Sequence, residues 1–269
     1  MLKLVAAIVL GVSSLTLQAL ELKGNLTQGG LVMGSLAGSH DVYLNDTPLK
    51  LTSKGEFVFG FGRDSELEHV LRWTDKNGNK QQKKILITKR DYKIDKITGV
   101  AQKYVTPPES VSKRIATEAA AVKKARANVS ARTDFLNPVY RPAEGRISGV
   151  YGSQRYFNGV AKTPHFGLDI ANKKGTPVLA PLSGKVVFAN PDLYYSGGTL
   201  ILDHGHGVNS TYIHLHTLNV KEGQEVKLGD KIAEIGATGR VTGPHLDWRF
   251  NWMQERLDPA LLMIDTIAK

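Results

Sequence analysis

The 269-residue chain contains no cysteine. It can therefore carry no disulfide, and it has no thiol on which a lipid anchor could be built. Long hydrophobic runs are also missing. The most apolar stretch, LVAAIVLGVSSLTL (4–17), is too short to span a bilayer comfortably, which takes about 20 residues. No zinc-finger, RRM or helix-turn-helix spacing is present, which removes the usual nucleic-acid readers.

What is present at the start reads as an export signal. Lys3 supplies a positive n-region, the apolar run follows, and small residues near LQAL offer a cleavage point after Ala19. Residues 1–19 are expected to be a signal peptide, and an uncleaved N-terminal anchor is the alternative. The mature chain is then a periplasmic protein with no stable membrane anchor, held together by its core alone. Its formal charge of +10 suits anionic envelope material: cell-wall polymer, phosphorylated lipid or membrane surface. Export argues against nucleic acid. Plain solubility explains the charge equally well.

Three textures follow one another. Residues 20–105 read as a small β-sandwich-like module. Alternating segments recur at HDVYLN (40–45), EFVFGF (56–61), HVLRW (69–73) and KKILIT (83–88). Phe57, Phe59 and Phe61 fall on one face, the pattern of a half-buried strand. Asn77-Gly78 is expected to take the positive φ angles of a tight hairpin. Residues 106–135 read as a helical linker. Thr106-Pro107-Pro108-Glu109 matches a capping box, and Val111, Ile115, Ala119 and Val122 recur at helical spacing. From residue 136 to 269 the chain turns to glycine-rich antiparallel β structure, with short β-branched strands between glycine turns, as in VKEGQEVKLGDKIAEIG (220–236).

Histidine and aspartate gather in this last part. HFGLD (165–169) holds His165 and Asp169. On a straight strand these would lie roughly 13 Å apart, too far to share one ion, but Gly167 permits a bend that closes the gap. In YIHLH (212–216), His214 and His216 are expected on one strand face. In PHLDW (244–248), His245 and Asp247 also fall on one face. A lone histidine in a β domain is more often hydrogen-bonded or exposed than ligating. An aspartate after a turn usually caps backbone N–H groups. Those readings do not explain why three such clusters all sit beside glycine turns.

The ordered pieces GRISGVYGSQR (145–155), HFGLDIA (165–171), GTPVLAPLSGKVV (175–187), GGTLILDHGHG (197–207), YIHLH (212–216) and GATGRVTGPHLDW (236–248) resemble the M23 zinc peptidases. These are the lysostaphin-like or LytM-like enzymes that cut peptidoglycan cross-links. The resemblance implies a mainly β protein with an antiparallel LytM-like core and zinc in a groove. It implies that His165 and Asp169 are metal ligands and that His214 and His245 are catalytic. The family's third ligand is a histidine, and here that position holds Asp247. His216 has no family role.

Carboxylate oxygen binds Zn²⁺ at nearly the distance of imidazole nitrogen, so His165, Asp169 and Asp247 would still leave a position open for water. Two carboxylates should acidify that water less than one, and harder oxygen ligands weaken the preference for zinc over other divalent metals such as manganese. One ion per chain is expected. Tyr151, Arg155, Tyr195 and Arg240 are expected to line the groove and bind substrate carboxylates.

The leading expectation is a zinc-dependent endopeptidase that hydrolyses peptide cross-links of peptidoglycan. The alternative is a catalytically silent relative that binds the wall or regulates other wall enzymes. Lipoyl- and biotin-carrier domains share the V-x-x-G grammar. No exposed lysine turn of the kind they need is visible, and such carriers are not exported.

Overall fold

The computed structural model describes residues 20–98 and 109–267. The expected signal peptide and the Thr106–Pro108 part of the capping box lie outside these residues. The described residues are mainly β, with one α-helix. None of their helices is long and apolar enough to cross a membrane.

The N-terminal strands form two sheets. Glu21–Gly24, Leu31–Ser35 and Glu56–Gly60 make one, and Thr47–Pro48, His40–Leu44, Glu68–Thr74 and Lys80–Leu86 make the other. Val32, Phe57 and Phe59 from the first share a core with Val42, Leu44, Leu71 and Ile85 from the second. Phe59 and Phe61 meet edge to face at 5.6 Å, the geometry aromatic quadrupoles favour.

The EFVFGF strand was expected to be half-buried, but Val58 is buried as well as the phenylalanines. The reason lies at Gly60, where an added Cβ would stand 2.7 Å from Leu257 Cδ2. The C-terminal part of the chain thus covers the second face of this strand. The hairpin also differs from expectation. Among its turn residues only Gly78 has positive φ, at 82°, while the Asp75 carboxylate accepts from the N–H groups of Asn77 and Asn79. An Asx-type cap replaces the two-residue turn.

The helix Ser112–Arg126 contains Ile115, Ala119 and Val122 of the apolar pattern, while Val111 is its N-cap and offers no side-chain hydrogen bond. Arg114 reaches Asp192, and Glu118 accepts from the N–H of Tyr194, so the helix is tied to the C-terminal sheet.

That sheet has ten strands, and three consecutive members position the site. His245–Trp252 runs between Leu168–Ala171 and Val208–Leu218, antiparallel to both. Leu168, Ile170, Leu246, Trp248, Phe250 and Tyr212 are fully buried beneath it. Each such side chain contributes about 1.5–3 kcal/mol of apolar burial, which makes this a rigid platform.

The expected boundary near residue 105 is crossed by pairing. Ile94–Ile97 adds in parallel to Gln154–Phe157, just upstream of His165. Arg63 Nε donates to the Gly152 carbonyl at 2.8 Å. Arg90 pairs with the buried Asp258 at 2.8 Å, a contact whose partners each cost more when left alone than the pair is worth.

Candidate metal centre

His165 does not lie on a strand. The strand starts at Leu168, and HFG before it turns the chain back. His165 Nε2 consequently stands 3.2 Å from Asp169 Oδ1. Asp169 lies directly opposite Asp247 in the sheet register, which puts both carboxylates on one face. His165 Nδ1 is 3.9 Å from Asp247 Oδ2. One ligand-type atom from each of His165, Asp169 and Asp247 falls within 4.8 Å of the others.

Two glycines make this convergence sterically possible. An added Cβ at Gly149 would lie 2.1 Å from Asp169 Oδ2, and one at Gly167 would lie 2.1 Å from Asp247 Oδ1. The carboxylates occupy space that any other residue would fill.

Two observations test whether these residues fit a metal ion. His165 Nε2 and Asp169 Oδ1 are buried and, apart from facing each other at 3.2 Å, have no hydrogen-bond partner among the described residues. Buried polar atoms left without partners are uncommon, and two converging donors at this separation suit a single cation. The donor types, one imidazole and two carboxylates, also belong to the set that binds Zn²⁺. The residues fit.

The third donor has a feature that sequence reasoning missed. Both oxygens of Asp247 are held by Arg249, with Nε donating to Oδ1 at 2.9 Å and Nη2 to Oδ2 at 2.6 Å. Asp247 is 3% exposed, so burial alone would raise its carboxyl pKa. The paired guanidinium overrides this and holds it well below the usual carboxylate range. The charge of Arg249 is also felt at Asp169, His165 and His214. Burial opposes a charge on His165, but the Asp169 and Asp247 carboxylates outweigh it and raise its pKa. The signal for Arg249 was its spacing: residues 247 and 249 share a strand face.

His214 and His245 flank the carboxylates, with ring centroids 4.9 Å apart. His214 Nδ1 is 2.9 Å from the Thr238 carbonyl, and His245 Nδ1 is 2.9 Å from the Gly243 carbonyl. A carbonyl only accepts, so each Nδ1 carries the proton, which leaves His214 Nε2 unprotonated and turns His245 Nε2 toward Asp169 Oδ1 at 3.9 Å. Burial lowers the His214 pKa to about 4, which keeps the ring neutral near pH 7. Its backbone has φ of 65°, a conformation uncommon outside glycine that histidine, asparagine and aspartate adopt more readily than other residues. That departure from strand geometry also breaks the expected pairing of faces, since His214 is buried and His216 exposed.

The expected groove residues separate. Arg240 lies over the Tyr195 ring at 4.3 Å, and its N–H donates to the Tyr195 carbonyl. The same two loops hold His214, whose N–H donates to the Ser196 carbonyl. Tyr151 was expected in the groove, but it is buried, and its hydroxyl donates to the Arg256 carbonyl at 2.7 Å. It packs the junction between the N-terminal and C-terminal sheets. Arg155 is on the strand Gln154–Phe157, opposite Asp95, and its side chain lies outside what the structure describes.

A β-sheet platform carries a His/Asp cluster on one face, with the buried His214 and the half-buried His245 beside it, a donor set suited to holding a metal ion. Residues 163–259 match Peptidase family M23, and the chain carries a domain of that family. Over 83 residues it is 46% identical to the peptidoglycan DD-endopeptidase ShyB of Vibrio cholerae, covering 31% of this chain and 19% of that one. Over 110 residues it is 38% identical to the murein hydrolase activator NlpD of Escherichia coli, covering 40% and 27%. A putative peptidase M23 from Pseudomonas aeruginosa superimposes with a TM-score of 0.68 at 26% identity, over 88% of this chain and 95% of that one. The chain spans less than half the length of the curated relatives it matches.

Proposed function

We propose that this chain is a zinc-dependent endopeptidase that hydrolyses peptide cross-links of peptidoglycan in the periplasm. The observation that carries the proposal is the buried pair His165 Nε2 and Asp169 Oδ1, which face each other at 3.2 Å and have no further hydrogen-bond partner among the described residues. The likeness to a DD-endopeptidase supports the substrate class. In this reading residues 1–19 direct export, 20–105 form a β module, 106–135 a linker and 136–269 the peptidase domain.

His165, Asp169 and Asp247 would hold one zinc ion, which supplies Lewis-acid polarisation of an amide carbonyl and acidification of a water. The chain's own residues do the rest. His214 is neutral at pH 7 and fixed by the Thr238 carbonyl, so its free Nε2 can take up a proton. His245 is oriented by the Gly243 carbonyl and can donate toward a developing oxyanion once protonated. Tyr195 and Arg240, stacked on the adjoining loops, offer an aromatic face and a cation to a substrate carboxylate.

The test is digestion of cross-linked muropeptides by the purified chain. The expected result is release of uncrosslinked products by wild type and none by His165→Ala. Intact cross-links after incubation with added zinc would contradict the proposal.

A second reading has its own supporting observation, the engagement of both Asp247 oxygens by Arg249. In it the chain binds peptidoglycan or regulates other wall hydrolases, as the likeness to a murein hydrolase activator suggests. It predicts stimulation of a wall hydrolase without cleavage, unchanged by Asp169→Ala.

A further inference from the structure

Asp169 and Asp247 are directly opposed on adjacent strands, an arrangement that like charges make unfavourable. With a neutral imidazole at His165, a ligand set of these three would carry two negative charges. Arg249 changes that sum. Its two-point grip on Asp247 is the strong, geometrically specific form of carboxylate recognition. The pair is formally neutral, as a histidine would be, which leaves Asp169 as the single uncompensated carboxylate. Gly167 admits both partners, since an added Cβ there would stand 2.1 Å from Asp247 Oδ1 and 2.9 Å from Arg249 Cγ. Arg249 also fixes the plane of the carboxylate while leaving each oxygen a further lone pair for a metal.

We infer that Arg249 is a positioning residue of the metal centre: with Asp247 it forms a neutral two-residue unit that takes the place of a neutral ligand. The inference rests on the metal-binding reading of the site. It corrects the expectation that two carboxylates must leave a bound water poorly acidified, because one of them is already compensated. It also changes what restoring a histidine would do. Asp247→His alone would leave the guanidinium unpaired beside a dication.

The test is a double-mutant cycle read by zinc affinity, measured by competition with a chromogenic chelator, with melting temperature as the fold control. Asp247→His is expected to weaken zinc binding by about tenfold or more, and Arg249→Met by a similar factor through loss of the grip. The double variant Asp247→His/Arg249→Met is expected to return to within about threefold of wild type. The effect of Arg249→Met thus changes sign between the two backgrounds, which a merely structural role would not produce. Arg249→Lys guards against a variant that does not fold. It keeps the charge without the two-point grip, so it should weaken binding alone and fail to rescue Asp247→His.

Tighter zinc binding by Arg249→Met in both backgrounds would overturn the inference, because Arg249 would then act as a competing cation. Tighter binding by Asp247→His alone would overturn it too. In either case a wild type that binds zinc leaves the metal reading standing. A wild type that binds none contradicts the metal reading and this inference together.

Discussion

Asp169 and Asp247 face each other across neighbouring antiparallel strands, and each is set into a notch that only glycine provides, at Gly149 and Gly167. The sheet therefore presents two carboxylates on one face at a fixed separation. His165 closes the third side because its short loop precedes the strand.

The notches are the most direct handle on this geometry. Gly149→Ala puts a methyl 2.1 Å from Asp169 Oδ2 and must displace the carboxylate, an overpacking cost of about 1–3 kcal/mol. Zinc affinity should fall by about tenfold or more, since 1.4 kcal/mol is a factor of ten. Isothermal titration reads the loss. Unchanged affinity would mean that the Asp169 carboxylate position is not what the ion needs.

His214 should matter for turnover and not for metal retention. His214→Asn tolerates the φ of 65° better than other replacements and removes the free ring nitrogen. Turnover should fall by about 10²–10⁴-fold, the usual worth of a positioned proton-transfer group, with zinc content unchanged. Loss of zinc in parallel with activity would make His214 part of the ligand shell instead.

Tyr151→Phe separates packing from substrate binding. It deletes only the hydroxyl bond to the Arg256 carbonyl, worth about 0.5–1.5 kcal/mol. A chain of this size should lose about 2–4 °C in melting temperature per kcal/mol, and KM for a muropeptide should not move. A raised KM at unchanged stability would return Tyr151 to the groove.

Loss of stability in acid has an assignable source in His204. The ring is fully buried, with Nδ1 donating to the Ser183 carbonyl at 2.7 Å and Nε2 accepting from Ser210 Oγ at 2.8 Å. Burial, the largest effect, lowers its pKa. The unfolded chain takes up this proton below its ordinary pKa of about 6.5, while the folded chain does so only at lower pH. Stability is therefore complete above that pH and falls as pH drops beneath it. Thermal melts between pH 7.5 and 5 should show the decline. His204→Gln should melt lower at pH 7.5 but decline less on acidification. An equally steep decline in the variant would locate the effect in other groups.

Much of the site was legible because its residues sit in short motifs. HFGLD and PHLDW bring His165, Asp169, His245 and Asp247 forward by residue type and spacing, and the turns around them explain the bend that joins distant segments. Arg249 was not read, although period-two alternation places it beside Asp247. A lone arginine on a strand has no chemistry until its partner is known. Tyr151 failed in the opposite direction, since nothing local in GVYGSQR tells that Arg256, over a hundred residues later, offers it a carbonyl. The buried second face of the Phe57 strand and the parallel pairing of Ile94–Ile97 are likewise set by long-range contacts, which local periodicity does not encode.

The central claim is that His165, Asp169 and Asp247 converge on one cation. Elemental mass spectrometry of the purified chain after equilibration with zinc and dialysis tests it most directly. The account predicts close to one zinc per chain in wild type and near none in His165→Ala, with the two zinc-free proteins melting at the same temperature. Zinc-free wild type, or equal zinc in both proteins, would contradict it.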